Sequence, residues 1–167
     1  MQNRINQNLQ KECCLVTEFL LGPLAMDKIT DFIEAMNSHS DRHGYTIWAA
    51  CLKETTELMG FIGLKSIDWE SHFTPAVEIA WRLGSKYWGK GYATEGAKAT
   101  LDYGFNQCGL KEIVSFTVPD NARSLRVMKK IGLKHDIKGR FAHPELPVDH
   151  PLSQHVLYRL TKEEYLS

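Results

Sequence analysis

The chain lacks an excess of charge of either sign, because 20 Lys and Arg residues balance 20 Asp and Glu residues. Proteins that bind nucleic acids or anionic membranes usually carry a clear basic surplus. The balance therefore argues against both kinds of partner and leaves only local charged patches open. We expect neither a nucleic acid nor a membrane among the partners of this protein.

Paired cysteines are also missing, since none of the four cysteines belongs to a Cys-x-x-Cys motif. Cys13 and Cys14 are adjacent and poorly placed for a disulfide, and nothing in the spacing pairs Cys51 with Cys108. Free thiols are typical of proteins in a reducing compartment. We therefore expect free cysteines and a cytoplasmic location.

Long apolar runs, internal repeats and flexible linkers are absent. The most apolar early stretch, residues 13–26, is too short to span a membrane and is interrupted by Thr17, Glu18 and Pro23. With 167 residues, of which 43% are hydrophobic and 24% charged, the chain has the composition of a globular protein with its own core. We expect a single domain over residues 1–167.

What the sequence does contain is an alternation of strand-like and helix-like segments. Residues 77–83 alternate in the manner of a strand, whereas apolar residues between positions 26 and 39 recur at helical steps of three and four. A strand–helix–strand unit over residues 77–118 implies a parallel crossover, and the hairpins are antiparallel. The sequence therefore predicts an α/β (α+β) fold with a mixed sheet and helices on both faces. The predicted strands are 45–52, 58–67, 77–83, 112–118, 133–138 and 155–160, and the predicted helices are 26–39, 93–106 and about 121–131.

The most informative segment is the glycine-containing turn of residues 86–96, which joins the predicted strand 77–83 to the helix 93–106. Gly89 and Gly91 allow a tight turn that points several backbone N–H groups at one place. The start of the following helix adds partial positive charge there. The segment therefore predicts a socket for a phosphate or pyrophosphate group.

Four motifs in order carry a resemblance to a known family. They are Glu78-Ile-Ala-Trp-Arg-Leu-Gly, Trp88-Gly-Lys-Gly-Tyr-Ala-Thr-Glu, Val118-Pro-Asp-Asn-Ala-Arg-Ser-Leu-Arg-Val and Lys130-Ile-Gly-Leu. Together they closely resemble the GNAT superfamily of N-acetyltransferases, and in particular the branch related to the RimJ/RimL ribosomal-protein acetyltransferases. His155-Val-Leu-Tyr-Arg-Leu is similar to that branch as well, so the resemblance runs from about Leu21 to Tyr165.

The resemblance implies acetyl-CoA as the co-substrate and a twisted central sheet with two parallel strands splayed apart at its site. In this family the pyrophosphate lies on backbone N–H groups of the glycine turn. The pantetheine arm runs beside the strand that precedes the turn, and the thioester lies in the gap. The cofactor-binding residues that the resemblance implies are Trp81, Arg82, Leu83, Trp88, Gly89, Lys90, Gly91, Tyr92, Ala93, Thr94, Asn121 and Ser124.

The sequence departs from the family pattern at two places. The glycine motif usually opens with Gln or Arg, and here that position is Lys86, which keeps a charge. Relatives also carry a strand and a helix before the segment that matches Leu21 onward, for which only about twenty residues remain here. We expect the first strand to be absent or rebuilt, and a homodimer could cover the sheet edge or acceptor wall left open.

Acetyl transfer to an amine requires a neutral nucleophile, so a base must remove a proton from the ammonium. Glu78 is the predicted base, because the family often has a glutamate on the strand bordering the gap. A backbone N–H near Leu83 would stabilise the negative carbonyl oxygen of the intermediate. The tyrosine that many members use to protonate the leaving thiolate is replaced by Met128, so Ser124 or a water is the predicted acid.

Several alternatives remain at this level. The acceptor could be a protein N-terminal α-amine or a small amine such as a polyamine, an amino acid or an aminoglycoside. Because the tyrosine is missing, a non-catalytic acyl-CoA-binding or regulatory module is the alternative function. A dinucleotide enzyme is disfavoured, because the turn lacks a third glycine at the required spacing. The histidines and acidic residues within 143–155 have spacings that match no compact metal-ligand pattern, so we expect no bound metal.

Overall fold

The computed structural model describes Val16, Glu18, Phe19 and residues 26–167. The helices are α1 (Met26–His43), α2 (Tyr92–Asp102), α3 (Ala122–Lys130) and α4 (Lys162–Leu166). The strands are β1 (Ile47–Cys51), β2 (Leu58–Ile67), β3 (Ala76–Leu83), β4 (Glu112–Thr117), β5 (Lys134–Ala142) and β6 (Gln154–Thr161). They form one six-stranded sheet in the order β1–β2–β3–β4–β6–β5.

The sheet is mixed, as predicted. Only β3 and β4 pair in parallel, and the crossover between them contains α2, whereas the remaining neighbours pair antiparallel. The crossover is long enough for a helix because parallel strands cannot be joined by a tight turn. It places the start of α2 directly beyond the end of β3, where a ligand can reach both.

One face of the sheet carries the larger part of the core. Leu64 and Ile79 are fully buried there against Ala97 and Leu101 of α2 and Met128 of α3. Their neighbours along each strand point to the opposite face, because side chains alternate along a strand. Lys65 and Glu78, the neighbours of Leu64 and Ile79, therefore lie on the second face.

The second face carries α1 and an aromatic cluster. The ring of Phe32 in α1 lies 5.5 Å from that of Phe61 in β2. Further along the sheet, Phe73, Phe116 and Phe141 pack with Trp69 around Val114 and Leu157 in a second group of buried residues. Polar residues therefore lie between two apolar regions on this face.

His39 fixes the end of α1 against the sheet. Its Nε2 accepts a hydrogen bond from the Ser66 backbone N–H at 3.0 Å, so the neutral ring must carry its proton on Nδ1. Nδ1–H donates to the Tyr45 carbonyl oxygen at 2.9 Å. Both ring nitrogens are thus satisfied, which explains how a histidine that is 6% exposed is tolerated.

Two glycines of β2 are required by close approach of the backbone. A Cβ on Gly63 would lie 2.2 Å from the Thr46 carbonyl oxygen, and one on Gly60 would lie 2.1 Å from that of Arg82. Neither neighbour is a flexible side chain that could move aside. These glycines therefore allow the backbone of β2 to approach the segments on both sides closely. The close approach at Gly60 holds the end of β3, which borders the cavity described below.

Several helices and strands are longer or shorter in the structure than the sequence predicted. Helix α1 continues to His43 instead of ending at position 39, and the helix predicted over 93–106 divides into α2 and a π-helical turn, Tyr103–Gln107. Strand β5 runs to Ala142, whereas the sequence predicted its end at position 138. The short helix α4 was not predicted at all.

The prediction that the N-terminal strand is absent or rebuilt concerns residues that lie outside the described part of the chain. Among residues 26–167, no helix is long and apolar enough to cross a membrane. Two of the predicted free thiols, Cys51 and Cys108, are free in the structure, and Cys13 and Cys14 lie outside the described residues.

Candidate active site

Strands β3 and β4 separate after a single point of contact. Their register contains only the pair Glu78 and Val114, whereas β2 and β3 are paired from Ala76 to Leu83. Beyond Glu78, the edge of β3 that faces β4 therefore has no strand partner among the residues that the structure describes. Backbone groups on such an edge are available to a ligand.

The backbone of Leu83 shows which way these groups point. Gly84 N–H donates to the Met59 carbonyl oxygen at 2.9 Å, so the pair of Gly60 and Leu83 is of the non-hydrogen-bonded type. The N–H and carbonyl of Leu83 consequently point away from β2 and toward the gap. Its carbonyl oxygen accepts a hydrogen bond from Trp88 Nε1–H at 2.8 Å, which leaves the N–H directed into the gap.

A cavity of about 680 Å³ occupies the gap. It extends from the glycine turn, past the end of β3 and the start of α3, to the face of the sheet between α1 and the aromatic cluster. This size is typical of a binding site for a cofactor-sized molecule. An elongated ligand could thus contact the glycine turn at one end and Glu78 at the other.

The glycine turn offers a set of backbone donors that have no acceptor in the described part of the chain. The first hydrogen bond of α2 runs from Glu95 N–H to the Gly91 carbonyl oxygen at 3.0 Å, so Tyr92, Ala93 and Thr94 have no helical acceptor for their N–H groups. Gly91 precedes the helix without any side-chain cap. Trp88 N–H, by contrast, donates to the Ser85 carbonyl oxygen at 3.1 Å, so the set of available donors starts at Gly89.

Gly89 and Gly91 have φ angles of 74° and 93°, in the left-handed region that favours glycine. A Cβ on either residue would meet nothing within 4 Å, so the space in front of the turn is open. Unpaired N–H groups, a helix N-terminus and open space together fit a pyrophosphate group. The residues present therefore suit the co-substrate that the resemblance implies.

The start of α3 forms the opposite wall of the cavity. Asn121 Oδ1 caps the helix by accepting from Ser124 N–H at 3.2 Å, and its Nδ2 donates to Thr117 Oγ1 at 3.0 Å. These bonds tie the helix to the end of β4. Asn121 and Ser124 both line the cavity, so the structural role of Asn121 as a cap coexists with contact to a ligand.

Glu78 lies at the point where β3 and β4 part and is 8% exposed. Burial raises the pKa of its carboxyl group to about 7, against the opposing effect of Lys65, whose Nζ lies 3.7 Å from Glu78 Oε2. Lys65 stands directly opposite Glu78 in the β2–β3 register. A carboxyl group with a pKa near 7 is well suited to accept a proton at neutral pH.

Histidines and an aromatic ring line the cavity around and beyond Glu78. Phe116, His143 and His155 form this wall, and the two imidazole rings are 5.2 Å apart. Burial lowers the pKa of His155, and a hydrogen bond to the Ser153 carbonyl opposes this while the charge of His143 adds to it. Burial also lowers the pKa of His143, so both rings favour the neutral form at neutral pH.

The cavity is basic although the chain as a whole is neutral. Its described lining contains the basic residues Lys65, Arg82, Arg123, Arg126 and Lys130, and Glu78 is the one carboxylate among them. Arg123 lies over the Trp88 ring at 4.4 Å and pairs with Glu18. The local charge is therefore suited to a ligand with several negative charges.

Nearly all of the residues that the sequence singled out meet around this cavity. Glu78 and the predicted cofactor-binding residues line it, with the exception of Lys90, which lies in the turn with an exposed side chain. Met128, the residue in place of the family's tyrosine, is 1% exposed and belongs to the core. Its side chain has no proton to donate, so Ser124 and a water molecule remain the candidates for the acid that protonates the leaving thiolate.

Sequence reasoning named Arg82 but missed the other four basic residues of the described lining, and it missed the histidine wall. Arg123, Arg126 and Lys130 could have been found, because steps of three and four place them on one face of a helix. Lys65 depends on the register of β2 against β3, which the hairpin alone does not give. His143 and His155 come together only through the long β5–β6 connection.

No group of three or more potential metal ligands occurs among the residues that the structure describes.

Comparisons with known proteins are consistent with this geometry. The family model described as an acetyltransferase (GNAT) domain matches residues 8–134 of the chain. An uncharacterised N-acetyltransferase named p20, from Bacillus licheniformis, is 30% identical over 106 residues, which are 64% of this chain and 58% of that protein.

A second relative is the FsC-acetyl coenzyme A-N(2)-transacetylase of Aspergillus fumigatus, which is 35% identical over 97 residues, or 58% of this chain and 41% of that protein. The chain thus matches about half the length of these two relatives. Among solved structures, the GNAT-family acetyltransferase of Bacillus anthracis aligns with a TM-score of 0.71 and 26% identity, over 91% of this chain and 84% of that one.

The family match covers more than half of the chain, and the mixed sheet, the splayed strands and the glycine turn agree with it. The chain belongs to the GNAT family of acetyltransferases.

Proposed function

We propose that this chain is an acetyl-CoA-dependent N-acetyltransferase that transfers an acetyl group directly to a primary amine. The observation that carries the proposal is the continuous cavity that joins unpaired amides at the start of α2 to the buried carboxyl group of Glu78. One end can hold a pyrophosphate, and the other can accept a proton. The name of the Aspergillus fumigatus relative, which specifies acetyl coenzyme A, supports the choice of co-substrate.

Binding of the co-substrate begins at the glycine turn in this proposal. The N–H groups from Gly89 to Thr94 hold the pyrophosphate, and Arg123, Arg126 and Lys130 supply positive charge on the facing helix. The pantetheine arm continues beside the unpaired edge of β3. This path brings the thioester to the gap between β3 and β4.

The reaction then takes place beside Glu78. The carboxylate removes a proton from the acceptor ammonium, directly or through water, and the neutral amine attacks the thioester carbonyl carbon. Leu83 N–H, which points into the gap, stabilises the oxygen that becomes negative. The nitrogen of the intermediate loses its second proton to water, and the C–S bond breaks as the intermediate collapses. The departing thiolate takes a proton from water directly, or from the Ser124 hydroxyl, which water then reprotonates.

The position of Trp88 supports a rigid site. Its indole N–H bonds the Leu83 carbonyl oxygen at 2.8 Å, which ties the glycine turn to the end of β3. A fixed distance between the pyrophosphate donors and the thioester position matters because preorganised geometry lowers the barrier to reaction. Trp88 therefore contributes by positioning, and it does not exchange protons in this scheme.

The experiment that tests the proposal combines binding with turnover. Calorimetry with acetyl-CoA should show saturable binding, and release of free thiol from acetyl-CoA should depend on an added primary amine. The panel of amines should include a peptide with a free N-terminus, a polyamine, an aminoglycoside and several amino acids. Binding without thiol release from any amine would instead support a non-catalytic acyl-CoA-binding module.

A further inference from the structure

The part of the cavity that receives the amine has its own chemical character. Its members, here called the acceptor end, are Lys65, Glu78, Ser115, Phe116, His143 and His155. Lys65 and Glu78 are partners across β2 and β3, whereas Ser115 and Phe116 come from β4 on the far side of the gap. Side chains from four strands and the β5–β6 connection thus meet where the acceptor amine must lie.

No carboxylate at the acceptor end is free to hold a second positive charge. Glu78 is the one acidic residue among the described lining, and the proposed function uses it as the base. The Lys65 ammonium lies only 3.7 Å from Glu78 Oε2 and would repel any further ammonium group of an acceptor. The acceptor end is therefore poorly suited to a polyamine or an aminoglycoside.

The same residues present hydrogen-bond donors. His143 Nδ1 accepts from Glu145 N–H at 3.3 Å, so the neutral ring carries its proton on Nε2 and can donate it. The Lys65 side chain is 40% exposed and keeps capacity for a second partner, because an ammonium has three protons. Burial is the main cause of the lowered pKa of His143; the charge of Glu145 opposes the shift, and the charge of Lys65 adds to it, so Lys65 acts on this imidazole. Lysine and imidazole N–H donors are groups that bind an anion.

We propose that the acceptor is a small amine that carries a carboxylate close to its amino group, as an amino acid does, and that Lys65 and His143 bind this carboxylate. The proposal rests on the proposed function, because it assumes that the amine lies at Glu78. The short distance between Lys65 and Glu78 requires the two groups of the acceptor to be close together. A peptide N-terminus has no carboxylate at that distance from its amine.

Two further observations narrow the acceptor. Lys65 is the single Lys or Arg of the acceptor end, which matches one negative charge better than the two of a phosphate monoester. Phe116 faces the cavity with the rings of Trp69 and Phe141 at 6.0 Å and 5.3 Å from it. An acceptor with an apolar side chain can pack on this wall. The best substrate class is therefore an amino acid with an apolar or aromatic side chain.

The test compares matched acceptors on the intact protein. Phenylalanine, phenylalaninamide and phenethylamine differ at the carboxylate, and spermidine adds positive charge. Thiol release from acetyl-CoA should give a kcat/KM for phenylalanine at least about tenfold above those of the other three, because a charge-assisted contact is lost in each. Leucine and leucinamide repeat the comparison for an aliphatic side chain.

Substitution of Lys65 assigns the effect to this residue. Lys65→Gln should lower the ratio of kcat/KM for phenylalanine over phenylalaninamide about tenfold, mainly through KM, and Lys65→Arg should retain most of it. The ratio is the readout, because it cancels any effect of the substitution on the amount of folded protein or on the binding of acetyl-CoA, which is common to both acceptors. Lys53→Gln, in the exposed turn between β1 and β2, is the matched control and should leave the ratio unchanged.

Three outcomes would overturn the proposal, and they are distinguishable. If phenylalaninamide, a peptide N-terminus or spermidine is acetylated with a kcat/KM equal to that of the amino acids, the acceptor class is wrong, although acetyl transfer itself stands. The same holds if Lys65→Gln leaves the ratio at its wild-type value. If no amine releases thiol although acetyl-CoA binds, the proposed function fails and the acceptor class fails with it.

Discussion

At the scale of single residues, the balance of forces on Glu78 determines the chemistry of the site. Removing a carboxylate from water disfavours its charged form, whereas the nearby Lys65 ammonium favours it. Desolvation is the larger effect, so the pKa rises to about 7 instead of falling as in an exposed ion pair. Glu78 can thus alternate between its two protonation states at neutral pH.

The first prediction concerns the pH dependence of acetyl transfer. Glu78 must be ionised to accept a proton, so kcat/KM should rise with pH and level off above its pKa of about 7. Glu78→Gln should remove this rise from the pH profile and lower kcat by about 100-fold or more, with the affinity for acetyl-CoA unchanged. Steady-state kinetics between pH 5.5 and 9, with calorimetry for binding, would measure both.

The acceptor amine titrates as well, so the profile should be recorded with two acceptors whose amine pKa values differ. The limb near pH 7 should stay in place for both if it belongs to Glu78. A limb that moves with the amine, or a Glu78→Gln variant with wild-type turnover, would show that another group is the base.

The second prediction concerns stability, which the same pKa shift affects. The folded-state pKa of Glu78 lies above its ordinary value of 4.5, so the folded state binds this proton more tightly than the unfolded chain. The contribution of Glu78 to the free energy of unfolding is thus full below pH 4.5 and is lost as the pH rises to about 7. By this shift the loss is on the order of 3 kcal/mol.

Glu78→Gln mimics the protonated side chain, so it should match the wild type at pH 4 and be more stable at pH 8 in denaturant unfolding. The exposed Glu57 provides a control, because a hydrogen bond from Lys86 lowers the pKa of its carboxyl group. Glu57→Gln should therefore gain no stability as the pH rises. A Glu78→Gln variant that is equally or less stable at pH 8 would contradict the buried-carboxyl account.

At the scale of elements, the junction of β3 and α2 is the part that sequence and structure describe most fully. The strand ends, a short 3₁₀ turn follows at Ser85–Tyr87, and two residues with positive φ lead into a helix without a side-chain cap. A helix that leaves its first N–H groups unpaired gives up stabilisation that a Ser or Asp cap would supply. This arrangement is understandable where a bound anion takes the place of the cap.

The third prediction separates backbone strain from ligand contact at this junction. Gly89 and Gly109 have φ angles of 74° and 68°, and a Cβ on either would meet nothing within 4 Å. Each substitution by Ala should therefore destabilise the fold by about 1 kcal/mol through its φ angle alone. Only Gly89 lines the cavity, so only Gly89→Ala should also weaken binding of CoA, by about tenfold.

Thermal unfolding and calorimetry on the two variants would measure the two effects separately. Equal CoA affinities for Gly89→Ala and Gly109→Ala would mean that the turn does not contact the pyrophosphate. A loss of affinity in both variants would indicate an indirect effect of stability.

At the scale of the whole molecule, the cavity exists because a parallel pair is placed within a mainly antiparallel sheet. The flanking strands hold β3 and β4 from both sides, through β2 and β6, so the two can part without loss of the sheet. The larger core packs α2 and α3 against one face, which fixes both walls of the gap. A ligand that fills the gap contacts both halves of the sheet.

The fourth prediction follows, because a ligand that binds only the folded state stabilises the whole molecule. At 100 times its dissociation constant, acetyl-CoA should add about 2.7 kcal/mol, which corresponds to a rise in Tm of roughly 5–10 °C for a chain of this length. Pantetheine, which lacks the pyrophosphate and the nucleotide, should raise Tm far less at the same concentration. Equal shifts would indicate that the phosphates contribute little to binding.

Local patterns account for the elements that were predicted well. Strand β2 has the predicted bounds, Leu58–Ile67. The sequence offers Asp120 and Asn121 as caps for the predicted helix of about 121–131, and Asn121 is the one that caps α3. The helix α4 was missed although Thr161 and Glu164 form a capping box, a signal that is present in the sequence. Strand β5 extends beyond its predicted end at position 138, because Phe141 and Ala142 pair with His155 and Gln154 of β6, and that pairing is not visible in the local pattern.

The sequence by itself determined the glycine turn, the capped helix and the order of strands and helices, because these depend on backbone freedom, side-chain capping and the spacing of apolar residues. Tertiary structure alone decided that the cavity is basic in a neutral chain and that Lys65 stands beside Glu78. It also decided that two histidines face Phe116. Such features depend on strand register and on contacts between distant segments, which bring together charges that are far apart along the chain and exclude water from them.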